Sequence, residues 1–142
     1  MKRVIIESPY AGNIELNLRY LRACMDDCVH RGESPYASHG LYTQPGVRRD
    51  SDPKERELGI LAGFAWRECA DLTVVYADLG ITPGMQRGID HAVKHGKPIE
   101  HRALDGGWKP SMAHPSPGFP TKEYGRMPES TYNLATHRWT GK

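Results

Sequence analysis

Apolar and polar positions along the first hundred residues follow two periods in turn. Arg3-Val4-Ile5-Ile6 is a short β-branched run that suits a strand buried on both faces. Beyond a Pro and a Gly, Asn13 is placed to cap a helix, and Ile14, Leu18, Leu21, Met25 and Cys28 recur at helical spacing to about residue 30. Gly32 ends that helix. Ser34 to Ala37 is expected to carry a second short strand, although Pro35 brings no ladder donor. Residues 39–53, HGLYTQPGVRRDSDP, read as a loop. A second helix starts at Asp52-Pro53, with Leu58, Leu61, Ala62, Ala65 and Cys69 as its expected buried face. Gly59 and Gly63, four apart on it, would let another helix approach closely. Leu72-Thr73-Val74-Val75-Tyr76 is the clearest strand. Thr82-Pro83 opens a third helix through Met85, Ile89, Ala92 and Val93, stopped by Gly96, and Pro98 to His101 forms a last strand.

The order βαβαβαβ with short links implies parallel strands joined by right-handed crossovers. The expected fold is therefore α/β, a Rossmann-like three-layer sandwich with a small parallel sheet. After about Leu104 the composition changes, and GGWKPSMAHPSPGFPTKEYGRMPES is dense in Gly and Pro without a period. We divide the chain into an α/β domain, 1–104, and an irregular tail, 105–142, either disordered or packed on a neighbouring subunit.

Composition narrows the function classes. Of the 142 residues, 38% are hydrophobic and 25% charged, as in an ordinary globular protein, and a net charge of +2 is too mild for a surface that coats nucleic acid. No apolar run approaches the roughly 20 residues that span a bilayer, and MKRVIIESPY lacks the apolar stretch of a signal peptide. Three cysteines, Cys24, Cys28 and Cys69, do not make a disulfide framework and point to a reducing, cytoplasmic setting. Neither a cofactor nor a metal is expected. His91 and His95 are spaced to share a helix face, but no third ligand is near them, and they read as surface histidines.

The chemistry is expected at the carboxyl ends of the strands. Glu-Ser-Pro-Tyr-Ala occurs twice, at 7–11 and 33–37, each time where an apolar run gives out. The expectation is that both copies line one pocket. Ser8, Tyr10 and Gly12 would come from the first, with Tyr36, Ser38 and His39 from the second and its continuation. ADLGITPGMQRG leads from a strand into a helix N-terminus, where Gly80, Thr82 and Gly84 suit an anionic group and Arg87 would add charge. Glu7 and Asp78 are the candidate catalytic carboxylates on this rim. Asp71, at the opposite end of its strand, reads as a turn or capping residue, and Glu55 and Glu57 as first-turn acids of the second helix.

Together, the Pro-Tyr-Ala-Gly loop after the first strand, SPYASH after the second, and ADLTVVYADLGITPGMQRGIDHAVKHGKP resemble the nucleoside 2-deoxyribosyltransferase superfamily over roughly 2–102. The likeness is to its short phage and bacterial members in particular. The resemblance implies a Rossmann-like fold, and cleavage of the N-glycosidic bond of deoxynucleosides or their monophosphates, passing the sugar to another base or to water. It also implies a homodimer or higher homo-oligomer whose neighbours complete each pocket. Enzymes of that superfamily carry a nucleophilic glutamate nine residues before the Lys of a Lys-Pro pair. Counting back from Lys97 lands on Gly88, and Asp90 lies about 200° further around the helix. Glycine can neither attack an anomeric carbon nor offset oxocarbenium charge. Two readings stay open: a nucleotide N-glycosidase or transferase that takes its carboxylate from Glu7, Asp78 or Glu57, and a nucleotide-binding sensor or regulator without turnover. A third is an interaction protein whose tail, with Trp108 and Trp139, contacts a partner.

Overall fold

The computed structural model describes residues 1–110, 131–133 and 138–140. Strands β1 (Lys2–Glu7), β2 (Glu33–Tyr36), β3 (Leu72–Tyr76) and β4 (Ile99–Arg102) form one parallel sheet in the order β2-β1-β3-β4. Helix α1 (Ile14–His30) joins β1 to β2. Helices α2 (Ser38–Leu41) and α3 (Pro53–Arg67) lie between β2 and β3, and α4 (Pro83–Lys94) between β3 and β4. Two further short strands, β5 (Thr131–Asn133) and β6 (Arg138–Thr140), pair antiparallel as a separate two-stranded sheet. The α/β sandwich expected from the sequence is thus the fold. Two details differ: α2 interrupts the loop read at 39–53, and the tail contains strand pairing. The rest of the tail lies outside the described residues.

Local chemistry sets the helix starts. Asn13 accepts from the Leu16 amide at 3.1 Å. The Asp52 carboxylate accepts from Lys54 and Glu55 ahead of a proline-led first turn, and Thr82 accepts from Met85 in the same arrangement. The chain moves one way from β1 to β2 and the other way from β1 to β3. Right-handed crossovers then require helices on opposite faces. On one face Val4, Ile6, Val74 and Tyr76 pack with Tyr20, Leu21, Cys24 and Cys28 of α1. On the other, Val75 packs with Met85 and Ile89 of α4. All five residues of β3 are buried, as a strand covered on both sides must be. The core also outruns the composition break at Leu104, since Trp108 packs on Tyr20 with ring centroids 5.1 Å apart.

The face of α3 is the reverse of the expected one. Leu58 and Leu61 are exposed, as are Ala65 and Cys69, whereas Gly63 and Arg67 are buried. The inner face is made by small and polar residues: a Cβ on Gly63 would stand 2.6 Å from Ser38 Cβ, so glycine there lets α2 close onto α3. The helix that Gly59 and Gly63 admit is therefore the chain's own. Val93 of α4 also faces outward.

A bidentate ion pair ties the two edge strands over the α1 face, with Arg102 donating to both oxygens of Glu33 at 2.7 and 2.8 Å. Both side chains are at most 10% exposed, so removing Glu33 leaves the buried guanidinium with the half-exposed Glu100, 2.8 Å from its Nε, as its remaining carboxylate partner. Glu33→Ala is expected to lower unfolding free energy by about 1.5–3 kcal/mol, the loss of charge-assisted hydrogen bonds with Glu100 still in place, with the native fold retained below the transition, as read from denaturant melts. A loss below about 1 kcal/mol, the level of an exposed pair, would contradict this reading.

Candidate functional site

The chain direction reverses between β1 and β3, and in open parallel sheets ligands bind beyond the carboxyl ends of the strands at that reversal. Glu7 is the last residue of β1 and sits opposite Val75 of β3, which puts its side chain on the α3–α4 face. There it meets two residues. Arg67 of α3 donates to Glu7 Oε1 at 2.6 Å and to Thr73 Oγ1 at 2.5 Å. Gly88 of α4 lies so close that a Cβ built on it would overlap the Glu7 carboxyl group. The carboxylate of Glu7 therefore fills the space into which a side chain at position 88 would project. Burial pushes the Glu7 carboxyl up, against the pull of Arg67, to about 7. Oε2 has no hydrogen bond among the described residues, on a side chain that keeps 13% of its surface.

Next to Glu7, Ser8 is buried and its Oγ is hydrogen-bonded to His39 Nε2 at 2.7 Å. Burial lowers the His39 pKa to about 4, so the imidazole is neutral at physiological pH. Tyr10 meets His39 edge-on at 6.5 Å. Thus the first Glu-Ser-Pro-Tyr-Ala string and His39, two residues past the second, do share a rim. The second string itself does not reach that rim. It forms β2, with Glu33 at the foot of the strand and Tyr36 level with Ile5. Tyr36 packs on Trp66, 5.6 Å away. Ser38 and His39 are what β2 delivers, and they line a small cavity of about 40 Å³ with Thr43, Asp50, Glu55 and Arg56.

The other expected site residues divide. Gly80 turns the chain after β3 with φ of +83°, and Gly12 does so after β1 with φ of +96°. Thr82 is committed to capping α4. Asp78 is not a partner for Glu7, because it belongs to the α1 side. It accepts from the Tyr20 hydroxyl at 2.5 Å and from the Leu104 amide at 3.1 Å, which pins the chain after β4. Arg87 is held by Glu57 at 2.7 Å rather than turned to the loop. The cation nearest Gly84 is instead Arg56, whose guanidinium lies 3.7 Å from where a Cβ on that glycine would stand. Asp71 pairs with Arg3 at the far end of the sheet, as a turn residue would. Among the described residues no cluster of three or more His, Cys, Asp or Glu side chains is arranged to hold a metal. Cys24, Cys28 and Cys69 are free thiols, and no helix is long and apolar enough to cross a membrane.

Residues 2–102, from the first strand to the end of β4, match the family model described as Domain of unknown function (DUF7768). The chain belongs to this family. No curated protein and no solved structure matches it. The DUF7768 domain thus ends with the parallel sheet, and every residue of the Glu7 site lies inside it.

Two residues beside the candidate site in this DUF7768 domain were missed in the sequence, Arg67 and Arg56. Arg67 does carry a signal: it follows Gly63 by four, on the face of α3 opposite Leu58 and Leu61. The shared space at Glu7 and Gly88 generates a double-mutant prediction. Gly88→Ala is expected to destabilise the domain by about 1–3 kcal/mol through overpacking against a pinned carboxylate. In a Glu7→Ala background the same change is expected to stabilise by up to about 1 kcal/mol, the ordinary helix preference of alanine. Equal effects in both backgrounds, measured by denaturant melts, would show that the two positions do not compete.

Proposed function

We propose that this protein binds a nucleoside or nucleotide at the carboxyl ends of β1 and β3 and cleaves its N-glycosidic bond with Glu7. The observation that carries this reading is the overlap of the Glu7 carboxylate with the side-chain space of Gly88. The sequence resembles the nucleoside 2-deoxyribosyltransferase superfamily, in which the helix position corresponding to Gly88 bears the nucleophilic glutamate. Here a carboxylate reaches the same space from the neighbouring strand.

In the proposed reaction Arg67 holds Oε1, and Oε2 of ionised Glu7 forms a bond to the anomeric carbon as the C1′–N bond breaks. The bonding pair leaves with the base, which takes up a proton. Water, or a second base, then displaces the ester and regenerates the carboxylate. Burial supports the first step by removing competing water, and it raises the carboxyl far enough for Glu7 to exchange a proton near neutrality. Tyr10 offers a ring face for a flat guest. The first turn of α4 offers positive charge for a phosphate, and Arg56 beside Gly84 would add to it by exchanging its ion pair with Asp50, 3.4 Å away. Three unpaired thiols fit a cytoplasmic setting. One observation favours a binding module without turnover: Glu7 is already engaged by Arg67, as a structural ion pair would be.

Incubation with each deoxynucleoside and its monophosphate, with chromatography for free base, separates these readings. Release is expected for at least one, and Glu7→Gln should reduce it by about a thousandfold or more. Because the nucleophile must be ionised and its carboxyl is raised to about 7, turnover should climb as pH rises through that value. The paired change Glu7→Ala with Gly88→Glu moves the carboxylate from strand to helix and should recover part of the activity. Calorimetric binding with no base released would favour the sensor. Absence of both binding and release would reject nucleotide recognition altogether.

A further inference from the structure

The outward stripe of α3 follows a rule of its own. Positions 54, 58, 61, 65 and 68 recur at spacings of four, three, four and three, the 3.5-residue repeat of helices that pair along a seam. All five are exposed, Leu58 by 53% and Leu61 by 50%. They fall within about 80° of one another around the helix, opposite Gly63, which faces α2, and Arg67, which reaches the sheet. The middle of the stripe is apolar, Leu58, Leu61 and Ala65, and its two ends carry Lys54 and Glu68.

Those ends are equidistant from Leu61, seven residues to either side. Two copies of α3 laid antiparallel about an axis through Leu61 would set Leu61 against itself, Lys54 against Glu68 at both ends, and Leu58 within about 1.5 Å along the axis of Ala65. This is the self-complementarity that a two-fold interface demands. A parallel pairing would instead oppose Lys54 to Lys54 and Glu68 to Glu68. The charge pattern thus selects both the partner and its direction. The seam runs about 21 Å at 1.5 Å per residue. Beside it a groove of about 500 Å³, lined by Tyr42, Val47, Leu58 and Ala62 among others, widens the apolar area. Val47, like the two leucines, is largely exposed at 48%.

We propose that the occupant of this surface is a second copy of the chain, forming a two-fold dimer through α3. The inference stands on exposure and charge symmetry, and it holds whether or not the protein turns over a nucleotide. Sedimentation velocity of the full chain across a concentration series should show a dimer. Leu61→Glu, which sets like charges on the axis, should convert it to monomer with an unchanged circular dichroism spectrum. Lys54→Glu and Glu68→Lys should each raise the dimer dissociation constant by roughly tenfold, and the two together should restore it. A monomer at every concentration, indifference to Leu61→Glu, or a charge-swapped double variant no tighter than its parents would overturn the proposal. Cross-linking covers the case in which Leu61→Glu disturbs folding. In a Cys69→Ser background, Leu61→Cys should form a disulfide-linked dimer on mild oxidation, because residue 61 meets its own copy, and failure to do so counts against the seam.

Discussion

A guanidinium that is 2% exposed has to be answered, and much of the fold around the switch between β1 and β3 is that answer. Arg67 enters from the last turn of α3 and reaches under β3 to Thr73 and across to Glu7. The pairing gives the inner face of α3 a polar end, and α2 closing over Gly63 keeps the turn before it small where leucines were expected. The pairing also explains why an acid is tolerated at the inner end of a β-branched strand. Neither member of the pair would be stable there alone.

The same constraint explains the proton affinity of the site. A carboxylate that loses water without a cation is forced neutral, and one facing a cation in water stays an ordinary strong acid. Glu7 lies between these limits, with burial the larger influence and Arg67 the smaller. Next in the chain, Ser8 meets His39, which burial pushes the other way and keeps neutral. The rim therefore holds an acid shifted toward neutrality and a base that remains uncharged, both through the same lack of solvent.

Much of this fold was legible because each element carried redundant signals. β3 has five apolar or β-branched residues in a row, and α1, α3 and α4 each start with a side chain that caps them in the structure. The direction of the α3 face was not legible. Hydrophobic periodicity identifies a stripe but not what the stripe is for, and here the apolar stripe faces outward while Gly63 and Arg67 face in. Two copies of one pentapeptide were equally misleading at the level of register. Glu7 ends its strand and Glu33 begins one, so identical letters serve the rim in one case and the foot of the sheet in the other. Glu7 itself was found because it closes β1. Its tie to Gly88 was not, since residues 81 apart in the chain declare no contact without a third dimension.

That tie also bears on descent. Only one of the two neighbouring backbones can project an acid into the shared volume, so a glutamate on the helix and a glutamate ending the strand are mutually exclusive tenants. The order in which the two positions can change is thereby constrained: bulk at position 88 is accommodated without strain only after Glu7 has given way to a smaller residue.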